Sequence, residues 1–284
     1  CYWYDKTAST TWNPIWFSYF VYNDGTAYII PMGESQFQFP VSGEYQDPEA
    51  EQPEYTLEPG RVRAATAAAE NAKRIVEEYK DLSDYEKLCA YLDEICTRVS
   101  YDDDAAASGN ALVGMDPWQL INVFDDDPDT NVVCEGYAKA FQYLFDMSSF
   151  QSDQLRSILI TGQMADIDDE TGEIDNKEHM WNIVTMPDDN NYLVDVTNCD
   201  EDTVGSPDYL ILCGTTGSVR QGYSVTVEKD GYVPKRVFYS FDSDQIDLYG
   251  EDRLTLSEKP YDPDADIWQN DFEYSLNEEK LTIT

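Results

Sequence analysis

Across residues 61–241 the apolar pattern changes period once. A 3.6-residue repeat carries the chain to about residue 146, and a two-residue alternation takes over from there. Helical segments followed by strand segments, with no return, describe an α+β domain with an antiparallel sheet; a parallel doubly wound sheet needs the two to alternate. The first helical stretch, "RVRAATAAAENAKRIVEEY" at 61–79, is rich in strong helix formers. The next, "SDYEKLCAYLDEICTRV", opens with Ser83 and has Glu86 three positions on, a capping box ahead of an apolar stripe of Leu88, Tyr91, Leu92 and Ile95. After a loop of about 30 residues, too long to be idle in a compact domain, a third helix opens at Cys134 in "TNVVCEGYAKAFQYLFD". The strands then read as "SILITGQM", "HMWNIVTM", "NYLVDVTN", "DYLILC", "YSVTVE" and "RVFYSF".

Ahead of the helices, residues 1–60 are aromatic and β-prone. "IWFSYFVY", the turn "NDGT" and "AYIIP" predict a hairpin in a small β-rich N-terminal segment that packs on the core. "DPEAEQPEYTLEPG", with its prolines, marks the connection into the helices. The expected organisation is this segment at 1–60, a core at 61–215, C-terminal strands completing it at 216–263 and a tail at 264–284.

Charge narrows the partners. The chain has 57 acidic and 18 basic residues and a net charge of −39, which repels phosphate backbones and anionic lipid surfaces, so nucleic acid is not an expected partner. The acids cluster in loop-like patches such as "YDDDAAA" and "FDDDPDTN", the simplest reading of which is a solvated acidic surface. No apolar run approaches the roughly 20 residues that span a bilayer. Cys1 at the start can be read as the lipid-modified residue of a mature lipoprotein, but an arbitrary boundary is the simpler reading. Six cysteines are too few for a disulfide-framed fold of this size. Cys89 and Cys96 lie about 10 Å apart along one helix, beyond disulfide reach, and Cys199 and Cys213 could pair only by tertiary accident.

The chain contains one histidine, His179, and that count eliminates much of catalytic chemistry. Zinc sites built on HExxH or paired CxxC are absent, as are a P-loop, a GxGxxG after a strand and a GxSxG elbow, so no cofactor and no metal is expected. A carboxylate-only mechanism stays open because acids are everywhere. Any imidazole proton transfer runs through His179. A cysteine in the first turn of a helix meets unpaired N–H groups and the positive end of the helix dipole, both of which favour a thiolate. His179 opens one strand, and Asp195 sits between Val194 and Val196 in the next, where an unpaired carboxylate is costly.

Side chains alternate faces along a strand, so the hairpin loop between those strands decides whether Asp195 reaches His179. An odd loop, residues 187–189, sets Asp195 opposite Trp181 and diagonal to His179 on one face, with Asn190 or Asn191 in the left-handed conformation; an even loop separates the two. On the odd register the roles are Cys134 as nucleophile, His179 as base and then acid, and Asp195 as the group that orients the ring. Taken singly, Cys134 is more often a packing residue, His179 a structural one and Asp195 a cap or turn.

At these residues the sequence resembles the bacterial transglutaminase-like superfamily, relatives of papain-type cysteine proteases. The family's "VCxGYAxAF", "HAWNxV" and "YxVDxTW" correspond to "VCEGYAKAF" (133–141), "HMWNIV" (179–184) and "YLVDVTN" (192–198), and the likeness spans about 61–213 including "VSYD" at 99–102. The resemblance implies a transglutaminase-like, papain-like catalytic core, a catalytic triad of Cys134, His179 and Asp195, and thiol acyl chemistry on amides: cysteine protease, hydrolase, deamidase or transferase. Met180 and Asn198 depart from the family's Ala and Trp, bearing on the pocket beside the imidazole and on its wall. An upstream oxyanion donor is expected from Gln119 or Trp118. Tyr101 is a further aromatic near the site, and Trp181 is expected to shield the imidazole from water.

Two remaining motifs have weaker readings. "DIDDETGEID" lacks the sixth-position glycine and flanking helices of an EF-hand, so a charged hairpin tip is preferred to a calcium loop. "FEYSLNEEKLTIT" looks like the opening strand pair of the leucine-rich repeats that bacterial surface proteins often carry. The expectation is a secreted or surface-attached bacterial protein acting on a protein or peptide substrate, cell-wall peptide included; the competing expectation is a surface binding or scaffold module that retains the triad without turnover.

Overall fold

The computed structural model describes residues 19–21, 27–29, 41, 45–108, 117–127, 130–167, 174–200, 210–227, 235–265, 274–277 and 280–283. The chain divides into two compact units, Cys1–Ala65 and Thr66–Thr284. In the first, β1 (Tyr19–Val21) pairs antiparallel with β2 (Ala27–Ile29), Tyr19 opposite Ile29. The expected "NDGT" turn between them lies outside the described residues, as do Cys1 and the tip of the acidic hairpin.

The unit boundary falls inside α1 (Pro59–Glu78), whose Ala68, Ala72 and Ile75 are buried. After it, α2 (Asp84–Arg98) begins with the expected capping box: Ser83 Oγ accepts from the Glu86 N–H, and the Glu86 carboxylate accepts from the Ser83 N–H at 2.9 Å. Its stripe of Leu88, Tyr91, Leu92 and Ile95 is buried. Two short helices, α3 (Asp103–Ser108) and α4 (Pro117–Val123), occupy part of the long loop. Then α5 (Cys134–Met147) buries Tyr137, Ala138, Phe141, Leu144 and Phe145, the stripe its periodicity predicts.

The strands are β3 (Arg156–Ile167), β4 (Ile174–Thr185), β5 (Asn191–Val194), β6 (Ile211–Cys213), β7 (Thr216–Ser218), β8 (Gly222–Val227) and β9 (Lys235–Phe241). They form one antiparallel sheet in the order β6-β5-β4-β3-β9-β8-β7, so the α+β class holds. Where strand was expected in "DVTN", Asp195 instead caps a one-turn helix, α6 (Val196–Cys199): its carboxylate accepts from the Asn198 N–H at 3.2 Å, and that local hydrogen bond ends the strand. Part of the stretch expected as C-terminal strands is helical instead: α7 (Ser243–Tyr249) and α8 (Glu251–Leu254) follow β9, and β10 (Tyr274–Asn277) pairs with β11 (Lys280–Ile283) in a separate hairpin.

The β4–β5 pairing runs Asn182↔Val194 to Thr185↔Asn191. Met186 and Asn190 close a three-residue loop through a 3.0 Å hydrogen bond from the Met186 N–H to the Asn190 carbonyl. This is the odd loop, and it extends the register to Trp181 opposite Asp195. The left-handed residue is Asp189, with φ 63°, rather than Asn190 or Asn191. In a three-residue hairpin that conformation falls on the last loop position, and an aspartate tolerates it.

Candidate active site

The mouth of α5 is held from both sides. Tyr101 and Val132 form a parallel bridge, with the Asp102 N–H donating to the Val132 carbonyl at 3.0 Å, so the stretch before the helix is extended and fixed. The Val133 N–H donates to Gln119 Oε1 at 2.8 Å, which ties that stretch to α4. Gly136 is required by close approach: a Cβ there would lie 2.6 Å from Val132 Cβ and 3.0 Å from the Gln119 carbonyl oxygen. Cys134 is thereby the first helical residue, where backbone N–H groups lack intrahelical partners.

His179 lies on β4 opposite Gly162 of β3. Because β5 stops at Val194, the space beside His179 is taken by Asp195 and the turn of α6 rather than by paired strand. The imidazole Nε2 and Asp195 Oδ2 are 2.8 Å apart, and the two residues are 4% and 0% exposed. An ionised carboxylate only accepts, so Nε2 carries the proton and Nδ1 is the nitrogen left for a second partner. Cys134, at the start of α5, is near enough to raise the ring by hydrogen bond and by charge.

The same Oδ2 accepts from Tyr239 Oη at 2.7 Å and from Asn198 Nδ2 at 2.7 Å. Burial alone would push the imidazole pKa down. The Asp195 charge and hydrogen bond, with smaller contributions from Cys134, outweigh it and raise the ring to about 10. Burial likewise opposes ionisation of Asp195, and the His179 charge and hydrogen bond, then Asn198 and Tyr239, hold its carboxyl below the usual range. Tyr239 is raised far above an ordinary phenol by burial and by the neighbouring carboxylate, so it remains a donor.

The structure brings Trp181 and Tyr101 to this centre. The Trp181 ring stacks on His179 with centroids 6.0 Å apart and planes 19° apart, and it is fully buried against Tyr239 and Phe241. Gly162 makes room for it, since a Cβ there would lie 2.8 Å from Trp181 Cη2. Tyr101, half-buried, packs with Leu159 on the cluster of Cys134, Ala138 and Met180. Its hydroxyl is pushed up to about 12 by burial, then by Cys134, Asp103, Asp195 and Asp102. Of the two upstream candidates, Gln119 holds backbone at the mouth of α5, and Trp118 sits half-buried beside it on α4.

The two residues that depart from the resembled motifs, Met180 and Asn198, both lie at this centre. Met180 clusters with Cys134 and Ala138. Asn198, expected at a pocket wall, is buried and points inward, with Nδ2 at 2.7 Å from Asp195 Oδ2, 3.0 Å from Met164 Sδ and 3.4 Å from His179 Nε2. No metal-competent group of His, Cys, Asp and Glu occurs among the described residues.

No family model matches the chain, and no curated protein matches it. Among solved structures it is similar to one described as a crystal structure of a TGase, at 17% identity and a TM-score of 0.33 over 50% of this chain and 33% of that one. The chain therefore spans about a third of that structure's length, and a likeness this slight decides neither fold nor function.

Sequence reasoning missed Tyr239 and the inward turn of Asn198. Tyr239 is 44 residues from Asp195 and reads as one more aromatic in an alternating strand. The signal that could have found both is the carboxylate: a buried Asp with one partner still has lone pairs to satisfy.

Proposed function

We propose that the chain is a cysteine-dependent acyl-transfer or hydrolytic enzyme of transglutaminase-like, papain-like type that attacks a peptide or side-chain amide through a thioester. The observation that carries the proposal is the buried His179–Asp195 pair at 2.8 Å, with Cys134 at a helix start near enough to raise the ring's pKa. The proposed reaction starts from a Cys134 thiolate beside a His179 imidazolium. Sulfur adds to the carbonyl carbon, forming the C–S bond and an oxyanion, for which the backbone N–H groups of the first turn of α5 and the Gln119 carboxamide are the proposed donors. Nδ1–H then passes its proton to the amine nitrogen as the C–N bond breaks, leaving a thioester and a neutral imidazole. Water or an amine attacks next, gives its proton to Nδ1 and expels the thiolate.

A ring raised to about 10 stays protonated at neutral pH and so has a proton to give to the departing amine. The substrate is proposed to be a protein or peptide, cell-wall peptide included, met by a secreted or surface-attached bacterial protein. Cys134→Ala is expected to abolish ammonia release from glutamine peptides and cell-wall peptides, with and without added amine; retained release would sink the proposal.

The second reading is a surface binding or scaffold module that keeps the triad without turnover. Cys134 is only 3% exposed and packs under Met180 and Tyr101, which favours a closed, inactive site. Iodoacetamide separates the two, because an accessible thiolate alkylates rapidly at neutral pH and a sealed thiol does not.

A further inference from the structure

Three donors converge on one oxygen: His179 Nε2, Tyr239 Oη and Asn198 Nδ2 all point at Asp195 Oδ2, while among the described residues Oδ1 accepts only from the Asn198 backbone N–H at 3.2 Å. Two lone pairs are thus shared among three donors. The donors arrive from different parts of the fold. Tyr239 comes from β9, two strands from β4, and reaches past β3; Asn198 comes from the helical turn that Asp195 itself caps. Tyr239 also touches the rings of both His179 and Trp181. None of the four side chains meets solvent appreciably.

We propose that Tyr239 and Asn198 are positioning residues that clamp the Asp195 carboxylate from two sides, fix the plane in which His179 presents Nδ1 to Cys134, and compete with the imidazole for Oδ2. A carboxylate held only by His179 would be free to turn about its Cα–Cβ and Cβ–Cγ bonds, and the ring would turn with it. The donor hydrogens of Tyr239 and Asn198 carry partial positive charge beside the imidazolium, so each also weakens the pull of Asp195 on the ring proton. Besides Asp195, the ionisable groups bearing on the centre are Cys134 from α5, Tyr239 from β9, Tyr101 before α3, Cys96 from α2, Cys199 from α6 and Cys213 from β6. Burial keeps the last three thiols neutral, so the clamp is the adjustable part.

The inference bears on the proposed acyl chemistry, but its test does not require turnover, because His179 is the one imidazole in the chain. In the full chain labelled with 15N-histidine, Tyr239→Phe and Asn198→Ala are each expected to raise the imidazole midpoint by a few tenths of a pH unit and to speed exchange of the Nε2 proton with water. Together they should slow alkylation of Cys134 at neutral pH severalfold. A midpoint and exchange rate unchanged in both variants, with only the melting temperature lowered, would mean that the two residues merely pack. If Tyr239→Phe fails to fold, Asn198→Ala, which leaves the backbone cap of α6 in place, decides by the same readouts. A shifted midpoint in a protein that never alkylates and never turns over would uphold the clamp and refute the acyl chemistry.

Discussion

Asp195→Asn is the sharpest perturbation of the site because it removes the charge on which the imidazole depends while keeping the side-chain shape. The ring stands at about 10 only because the carboxylate overcomes a burial that works in the opposite direction. Without that charge, burial, the largest influence on the ring, is opposed chiefly by the smaller contribution of Cys134, and the midpoint should fall below the ordinary 6.5. The gap between about 10 and 6.5 corresponds to roughly 5 kcal/mol of imidazolium stabilisation, at 1.36 kcal/mol per pH unit. The effect on stability has a definite sign. A ring raised in the folded state stabilises the wild type fully below pH 6.5, and that contribution is lost as pH rises through about 10. In the variant the folded value is depressed, so its own contribution is present at high pH and is lost as pH falls through 6.5. The difference in unfolding free energy between the two proteins should therefore shrink steadily from pH 6.5 to pH 10; the surface carboxylates are common to both and cancel. Histidine 15N titration reads the midpoint and urea unfolding reads the stability difference. A wild-type midpoint near 6.5, or a variant midpoint still above 9, would refute the reasoning.

Other expectations follow from single contacts. Native alkylation at neutral pH should modify Cys134 and leave Cys96, Cys199 and Cys213 untouched, because burial raises all three thiols; peptide mass mapping checks this. Gly136→Ala puts a methyl 2.6 Å from Val132 Cβ at the helix mouth and should cost about 1–3 kcal/mol in urea unfolding, with a larger loss of Cys134 reactivity than an equally destabilising change elsewhere. Asp84→Ala strips the acceptor from the Gln151 and Ser152 N–H groups, which it holds at 2.8 and 2.9 Å after α5, and should cost about 1–3 kcal/mol without altering the imidazole midpoint.

Features carried by local periodicity were legible in the chain. The stripes of α2 and α5, the Ser83–Glu86 box and the strand alternation depend on neighbours within a turn or a pleat, and each sits in the structure where its pattern puts it. Loop parity between β4 and β5 was legible too, because one buried Asp on a strand already states which face it must share. Competition between local options was harder to read. "DVTN" has the alternation of a strand, but an Asp followed three residues later by an available N–H is also a helix cap, and the cap prevails once β5 has run out of partner. Residues 243–254 show the same ambiguity in a segment too short for periodicity to decide.

The site divides along the same line. Cys134, His179 and Asp195 could be named because each carries a chemical cost that its surroundings must explain: a thiol at a helix start, the one imidazole, a carboxylate among valines. Tyr239 and Asn198 carry no such cost in the sequence, since a tyrosine in an aromatic strand and an asparagine after a threonine fit many environments. Their role exists only because the sheet order sets β9 beside β3 and the cap of α6 turns Asn198 inward. That non-locality has a mechanical consequence. Two contacts formed by separate elements hold one carboxylate, so a shift in either β9 or α6 changes the orientation of the imidazole, and residues well outside the three motifs can thereby influence Cys134.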